Sequence, residues 1–294
     1  MKTILIAGGT GLVGRKLQLL FQSKGYQVNV LTRNPKIENQ FKWNPANKEI
    51  DPLALKDVQV LINLCGENVA DQRWSKRRKQ LLFDSRIGTT EFLVSLIHQM
   101  PQLECYVSAS GINSYGFEDD DKTYVESDAF GKDYMSQLVH DWENAADLFA
   151  EHCRVIKMRI SVVLDKDGGA MKKMSQSIQL GVGSPLGNGK QMIPWVHISD
   201  LANAFDHVIT HSIEGPVNIL GGNHTNKSFM KAIATTLKKP FWFPAVPSFL
   251  LKLILGEMSI IILKGIKASN QKIVASGFQF EYTELNETMR DLLK

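Results

Sequence analysis

The chain has 294 residues, 44% of them hydrophobic and 22% charged, an ordinary globular composition with length enough for one large α/β unit or a nucleotide-binding domain plus a smaller companion. Its net charge of +4 is mild, and the visible basic cluster, Lys76-Arg-Arg-Lys79, falls inside a helical pattern, so a solvated helix face is expected and a nucleic-acid partner is not. Three scattered cysteines, Cys65, Cys105 and Cys153, lack metal-ligand spacing and point to a reduced, cytoplasmic chain without a metal site.

A short apolar run, Lys2-Thr-Ile-Leu-Ile-Ala7, reads as a buried parallel strand and leaves no room for a signal peptide before it. Leu12, Val13, Leu17, Leu20 and Phe21 then recur at helical spacing. Between strand and helix lies Gly8-Gly9-Thr10-Gly11-Leu12-Val13-Gly14, of form G-x-x-G-x-x-G. Gly8 and Gly11 allow a sharp turn and close approach of a pyrophosphate, and Gly14 lets the helix pack on the strand. The helix N-terminus directs free N–H groups and a positive dipole end at the phosphates. With a strand before it and a helix after it, the motif reads as a dinucleotide site rather than a purely structural turn.

Gly25 stops the helix, and a second strand runs to Thr32. In a dinucleotide fold this strand tip, about 20 residues past the glycines, faces the adenine ribose. The chain carries Thr32-Arg33-Asn34 there, with no carboxylate to hold both ribose hydroxyls. A forked guanidinium suits a 2′-phosphate and so selects NADP (NADPH); the plain alternative is a solvated surface arginine.

Phe41-Lys-Trp43 reads as a short third strand, Asp51-Pro-Leu53 as the start of a small helix, and Val58–Asn63 as a fourth strand. Ser75–Met100 is expected to be one long helix with Arg86 near its middle. Leu103–Ser108 is strand five, residues 131–151 a helix, and Arg154–Val163 strand six. Six strands alternating with helices predict an α/β fold, a Rossmann-like doubly wound parallel sheet.

Beyond Gly168 the pattern changes to a helix, the loop Gly181–Gly189, a short strand Ile193–Ile198 and a helix capped by Ser199 with Asp200 in its first turn. A strand at Pro216–Leu220 follows, then mostly helices around an extended Pro240–Pro247 link. The apolar stretch Phe243–Leu263 is broken by Pro244, Pro247, Lys252, Gly256 and Glu257, so it reads as packed helices and not as a membrane span. The expected organisation is an NAD(P)-binding domain over 1–165 and a smaller, mainly helical substrate lobe over 166–294.

Asn63-Leu-Cys-Gly-Glu67, Arg73-Trp74, Asp84-Ser-Arg86, Ser108-Ala-Ser110, Asp141-Trp-Glu143, Asp167-Gly-Gly-Ala170, Trp195-Val-His-Ile-Ser-Asp200 and Gly256-Glu-Met258 occur in that order. With them the chain resembles atypical extended short-chain dehydrogenases/reductases of the NAD-dependent epimerase/dehydratase superfamily. It is similar in particular to the YfcH-like "epimerase family protein" subgroup, whose C-terminal DUF1731 segment would cover residues 240–294. The resemblance implies that Gly8, Gly9, Thr10, Gly11, Leu12, Val13 and Gly14 hold the pyrophosphate and that Thr32 and Arg33 select the ribose. It also implies that Leu64, Cys65, Gly66 and Glu67 lie near adenine and its ribose, Ser108 and Ala109 near the nicotinamide ribose, and Val162 and Val163 near the nicotinamide end. Arg86 matches a cofactor contact, with pairing to Asp84 or Glu91 on its own helix as the alternative.

In the wider family a Ser/Thr, a Tyr and a Lys four residues after the Tyr carry the chemistry. The lysine lowers the tyrosine pKa, normally about 10, so that the phenol exchanges a proton with the substrate hydroxyl. Ser110 matches the serine and Tyr134 the tyrosine, but Leu138 stands where the lysine should be. Tyr26, Tyr106, Tyr115, Tyr124 and Tyr282 are followed at that spacing by Val30, Ser110, Asp119, Asp128 and Asn286, so the chain contains no Y-x-x-x-K. Tyr115, Met192 and His197 are further candidates for a substrate pocket, each with a packing role as the alternative.

Two functions follow. One is an NADP-dependent oxidoreductase or epimerase for a small hydroxyl or carbonyl substrate, supported by Ser110 and Tyr134. The other is a non-catalytic NADP(H)-binding sensor, supported by the missing lysine. Either way a small-molecule ligand, no membrane partner, and a monomer or homodimer are expected.

Overall fold

The computed structural model describes residues 2–117 and 121–293. Its strands are β1 (Thr3–Ala7), β2 (Gln27–Thr32), β3 (Gln40–Asn44), β4 (Glu49–Ile50), β5 (Val58–Asn63), β6 (Cys105–Gly111), β7 (Thr123–Tyr124), β8 (Arg154–Ile160), β9 (Val162–Asp165), β10 (Met192–His197), β11 (Gly215–Ile219), β12 (Gly222–Thr225) and β13 (Lys267–Ala268). Its helices are α1 (Leu12–Ser23), α2 (Lys76–Phe83), α3 (Thr89–Ser95), α4 (Tyr134–Asp147), α5 (Gly169–Gln179), α6 (Ile198–Thr210), α7 (Asn226–Thr236), α8 (Ser248–Leu255), α9 (Ile260–Leu263), α10 (Gln271–Ala275) and α11 (Leu285–Leu293).

Strand β1 is buried on both faces, which is why it reads as an unbroken apolar run. Ile4 and Ile6 join a core with α1, α6 and α10 (Leu17, Phe205, Ile273), while Leu5 and Ala7 join another with α3 and α4 (Phe92, Leu93, Ala146). The large sheet has the order β11-β8-β6-β5-β1-β2-β3-β4, parallel except for the short β4. Succession reverses between β1 and β5, which makes the crevice beyond Ala7 and Asn63 the switch point where open α/β sheets bind ligands. The Rossmann-like doubly wound sheet is therefore as expected.

The long helix expected over 75–100 is interrupted. A five-residue π turn, Asp84–Gly88, separates α2 from α3, and the last turn, Ile97–Gln99, is 3₁₀. Side chains take over backbone carbonyls at the break: the Thr90 hydroxyl donates to Arg86 O at 2.8 Å, and the Arg86 guanidinium to Leu82 O at 3.2 Å.

Strand six also divides. The Ser161 N–H donates to Ile219 O at 3.2 Å, β8 stays in the large sheet, and β9 leaves to pair with β10 in a second sheet of order β12-β10-β9. Helices α5, α7 and α11 cover that sheet through Met171, Phe229, Ile233 and Met289. Residues 166–294 thus build the small lobe but also return β11 to the edge of the large sheet and α6 to its core, so the split at residue 165 is not a boundary of the sheet.

The cap of α6 is His197, whose ring accepts from Ser199 N at 3.2 Å, and not Ser199 itself. Asp200 accepts instead from the backbone N–H groups of Glu281 (3.0 Å) and Tyr282 (2.9 Å), tying the C-terminal segment to α6. Among the described residues no helix is long and apolar enough to cross a membrane, and no group of three or more His, Cys, Asp or Glu could hold a metal ion.

Helix α1 approaches the glycine turn so closely that a Cβ on Gly14 would lie 2.4 Å from Gly9 O. Gly14→Ala is expected to lower the stability of the chain by about 1–3 kcal/mol through forced separation of helix and turn. Urea unfolding followed by circular dichroism measures this, and an unchanged midpoint would show the contact to be slack.

Candidate functional site

The crevice at the switch point is built from backbone. Gly8 has φ +78°, a conformation that disfavours any other L-residue, and a Cβ there would meet Leu64 C at 3.1 Å and Cys65 N at 3.2 Å. Gly9 lies against Val30 of β2, and Gln18 fixes it by donating to Gly9 O at 2.8 Å. The turn closes with Gly11 N donating to Gly8 O at 3.1 Å, and Gly11 caps α1 without a side-chain hydrogen bond. No acidic residue lies in the first turn of α1. The arrangement leaves the first N–H groups of α1 for a ligand, as a phosphate requires.

Three other segments meet this turn. The Leu64 N–H donates to Ala7 O at 2.9 Å, which lays Leu64, Cys65 and Gly66 beside the glycines. The turn after β9 reaches α1, since a Cβ on Gly168 would lie 3.3 Å from Leu12 Cδ1, and this brings the Val162–Val163 segment to the same end of the sheet. At the tip of β2, Thr32 is buried while Arg33 is exposed. The Arg33 guanidinium makes no hydrogen bond or ion pair among the described residues. Its charge is close enough to Cys65 to oppose the burial that pushes that thiol up to about 12. Thr10, Val13 and Ala109 complete the set on neighbouring backbone; Ser108 is buried with its hydroxyl on Ala109 O at 2.9 Å.

The loop after β5 is clamped by two arginines. Arg86, buried and stacked 5.2 Å from the Trp142 ring, donates to Glu67 O at 3.0 Å and contacts Gly66, where a Cβ would lie 3.0 Å from its Cζ. It pairs with neither Asp84 nor Glu91, and burial lowers its pKa to about 10. Arg78 donates to Asn68 O at 2.6 Å and pairs with Glu67 at 3.0 Å. Expected on a solvated basic face, Arg78 is only 5% exposed and corrects that reading. Asn63, also buried, fixes the loop root by accepting from Cys65 N at 3.1 Å and donating to Thr90 and Tyr106.

Ser110 does not present a free hydroxyl. It donates to Glu143 Oε1 at 2.5 Å, and Glu143 forms a buried pair with Arg159 through bonds of 2.8 and 2.9 Å. Arg159 also reaches the Tyr115 hydroxyl at 3.1 Å, which donates to Asn218 at 2.7 Å. Ser110 and Tyr115 thus share one buried network, in which both hydroxyls already have protein partners. His197 is a buried cap, stacked 3.7 Å from Tyr282, with its Nε2 3.2 Å from the Asp291 carboxylate; burial lowers its pKa, opposed by the Asp291 and Asp200 carboxylates. Met192 is fixed at the start of β10 by Ile266 N donating to its carbonyl at 3.3 Å.

Tyr134 opens α4, whose cap Asp133 accepts from Met135 N at 2.8 Å and Ser136 N at 3.1 Å. Its ring is half-buried, 5.2 Å from Trp74 and under Lys79 Nζ at 4.3 Å, and its hydroxyl donates to Lys79 O at 3.3 Å. Burial raises its pKa while the charges of Arg86 and Arg78 oppose the rise. Leu138, in the place of the usual lysine, is packed with Trp142 and Met135.

A family model described as the NAD dependent epimerase/dehydratase family matches residues 4–220. The chain belongs to the NAD-dependent epimerase/dehydratase family. A second model, a domain of unknown function (DUF1731), matches residues 246–292. The chain is 31% identical over 297 residues to mouse epimerase family protein SDR39U1, covering 99% of each. It is 34% identical over 304 residues to epimerase family protein SH2119 of Staphylococcus haemolyticus, covering 100% of this chain and 99% of that one. The crystal structure of human SDR39U1 (isoform 2) with NADPH superposes with a TM-score of 0.90 at 29% identity, covering 99% and 98% of the two chains. A UDP-glucose 4-epimerase of Thermus thermophilus in complex with NAD, 18% identical with a TM-score of 0.77, shares the fold.

Glu143, Arg159, Arg78, Asn63 and Asn218 carry no site role in the sequence reading, although Asn63 and Glu143 lie in motifs of the resemblance and Arg78 in the basic cluster. One signal was present: Lys157 and Arg159 alternate within an otherwise apolar strand, and a charge in a strand covered on both faces needs a buried partner. Glu143→Ala is expected to cost about 3–5 kcal/mol by stranding Arg159, whereas Glu143→Leu combined with Arg159→Met should cost clearly less. Chemical denaturation of the three proteins tests this; equal losses would show that the network is not coupled.

Proposed function

We propose that this chain is an NADP(H)-dependent oxidoreductase or epimerase of the extended short-chain type, acting on a small hydroxyl or carbonyl compound beyond the carboxyl ends of β5, β6 and β8. The observation that carries the reading is the pairing of an open α1 N-terminus behind a positive-φ Gly8 with an unpartnered guanidinium, Arg33, at the tip of the next strand. A human relative solved with NADPH supports it. The dinucleotide, when bound, supplies the hydride donor or acceptor. The α1 N–H groups would hold its pyrophosphate, and Arg33 would pair with a 2′-phosphate, a group that NADH lacks.

Tyr134 is the group we assign to proton exchange. Its phenol stands at the helix start beside the clamped loop; burial and the Glu257 carboxylate raise its pKa, and Arg86 and Arg78 limit the rise. Ser110 acts indirectly, as a positioning residue that orders Glu143 and Arg159 beneath the tip of β6.

Calorimetric titration should give tighter binding of NADPH than of NADH. Arg33→Ala should weaken NADPH by about 10- to 100-fold, the loss of a charge-assisted hydrogen bond, and leave NADH nearly unchanged. An equal loss for both would remove the selector role. With a panel of carbonyl compounds and NADPH, Tyr134→Phe should reduce turnover by about 100-fold or more without changing NADPH affinity. Equal rates in wild type and variant would dismiss Tyr134, and binding without turnover on any compound would overturn the enzyme reading.

A further inference from the structure

Trp242, Phe249 and Leu253 are 72%, 73% and 72% exposed, and Phe243, Leu250 and Ile254 beside them are exposed too. None of the eight residues of α8 is buried, although the helix reads Ser-Phe-Leu-Leu-Lys-Leu-Ile-Leu. So short a helix does not hold in water by itself. Here it is held from its ends. The Arg73 guanidinium donates to the carbonyls of Leu253 and Ile254, and Glu257 pairs with Lys79 at 2.7 Å. Upstream, Val246 exchanges backbone hydrogen bonds of 2.9 Å with Pro185 and Gly187. The scaffold thus fixes α8 while displaying its apolar side chains, a patch of the kind that marks a docking face.

Charge narrows what docks there. Residues 238–267 contain five lysines (Lys238, Lys239, Lys252, Lys264, Lys267) and one acid, Glu257, matching alone the chain's net charge of +4. Lys238, Lys239, Lys252 and Lys267 are exposed, and Glu257 is already paired. This concentration of lysine suits a negative counterpart. Along the chain the exposed Trp242, Phe249, Leu253 and Ile254 are interspersed with the exposed Lys238, Lys239 and Lys252, a composition suited to a bilayer interface, where lysine stems reach toward the headgroups.

We propose that α8 and its Lys238–Pro247 lead-in form a face that docks on an anionic lipid surface, lying on the membrane without crossing it. This is independent of the proposed chemistry. The test is flotation of the full chain with vesicles of phosphatidylcholine and phosphatidylglycerol in equal parts, against phosphatidylcholine alone. The chain is expected to float with the anionic vesicles only and to be released by high salt. Phe249→Ser/Leu253→Ser, and separately Lys238→Glu/Lys239→Glu, should each reduce partitioning by about tenfold or more, with thermal unfolding showing both variants folded. The lysine variant leaves the apolar face intact and so tests the charge argument alone. No flotation, or equal flotation with neutral vesicles, overturns the proposal. So does a concentration-dependent dimer by light scattering that Leu253→Ser dissolves, or binding to polyglutamate with no binding to vesicles, which would assign the face to a second copy or to an acidic protein.

Discussion

The structure depends on backbone lying against backbone where β1 gives way to α1. Gly8 touches the backbone of Leu64 and Cys65, Gly14 meets Gly9 O, and Gly9 leaves room for the Val30 side chain, so one turn joins three neighbouring strands and the first helix. A side chain at any of these positions would separate elements that must touch, and the cost would fall on the core as well as on the crevice. The same closeness leaves polar N–H groups at the front of the turn. Packing and ligand recognition are here one constraint.

Around that turn, charge is used in two ways. Arg86 and Arg78 are spent on the carbonyls and carboxylate of the loop after β5, and Arg159 on Glu143, Tyr115 and the sheet edge near Asn218. Such groups are tolerated inside because most of their donors are occupied, the Arg78 Nε being the exception, and their charges are paired or spread over aromatic rings. Arg33 is the contrast: charged, exposed and unpartnered at a strand tip. Leu138, one turn after Tyr134 on α4, is apolar and packed, and the positive charges acting on Tyr134 are Arg78 of α2 and Arg86 of the π turn. The π turn is what points Arg86 inward, since it shifts the register of the side chains between α2 and α3.

The second half of the chain is bound to the first at several points. β11 completes the large sheet, Asp200 receives two N–H groups from the C-terminal segment, and Arg73 and Lys79 hold the end of α8 and Glu257. Ligand crevice, buried network and C-terminal segment therefore share one rigid frame, and the exposed face of α8 is presented close to the Tyr134 end of it through Lys79.

Local signals carried a large part of this into the sequence. Apolar runs fixed β1, β2 and β5, and glycine spacing fixed the turn, because each depends on neighbours within a few positions. The π turn at Asp84–Gly88, the parting of β9 from β8, and the commitment of Ser110, Tyr115 and His197 to buried partners were not legible. Those outcomes rest on residues far apart in the chain, Ser110 with Glu143, Tyr115 with Asn218, and Ser161 with Ile219, which compete for the same hydrogen bonds only once the chain has folded. Sequence alone determined the apolar strands β1, β2 and β5 and the glycine turn; tertiary structure decided where strand six divides and which polar side chains remain free, because burial allows no donor or acceptor to go unmatched without cost.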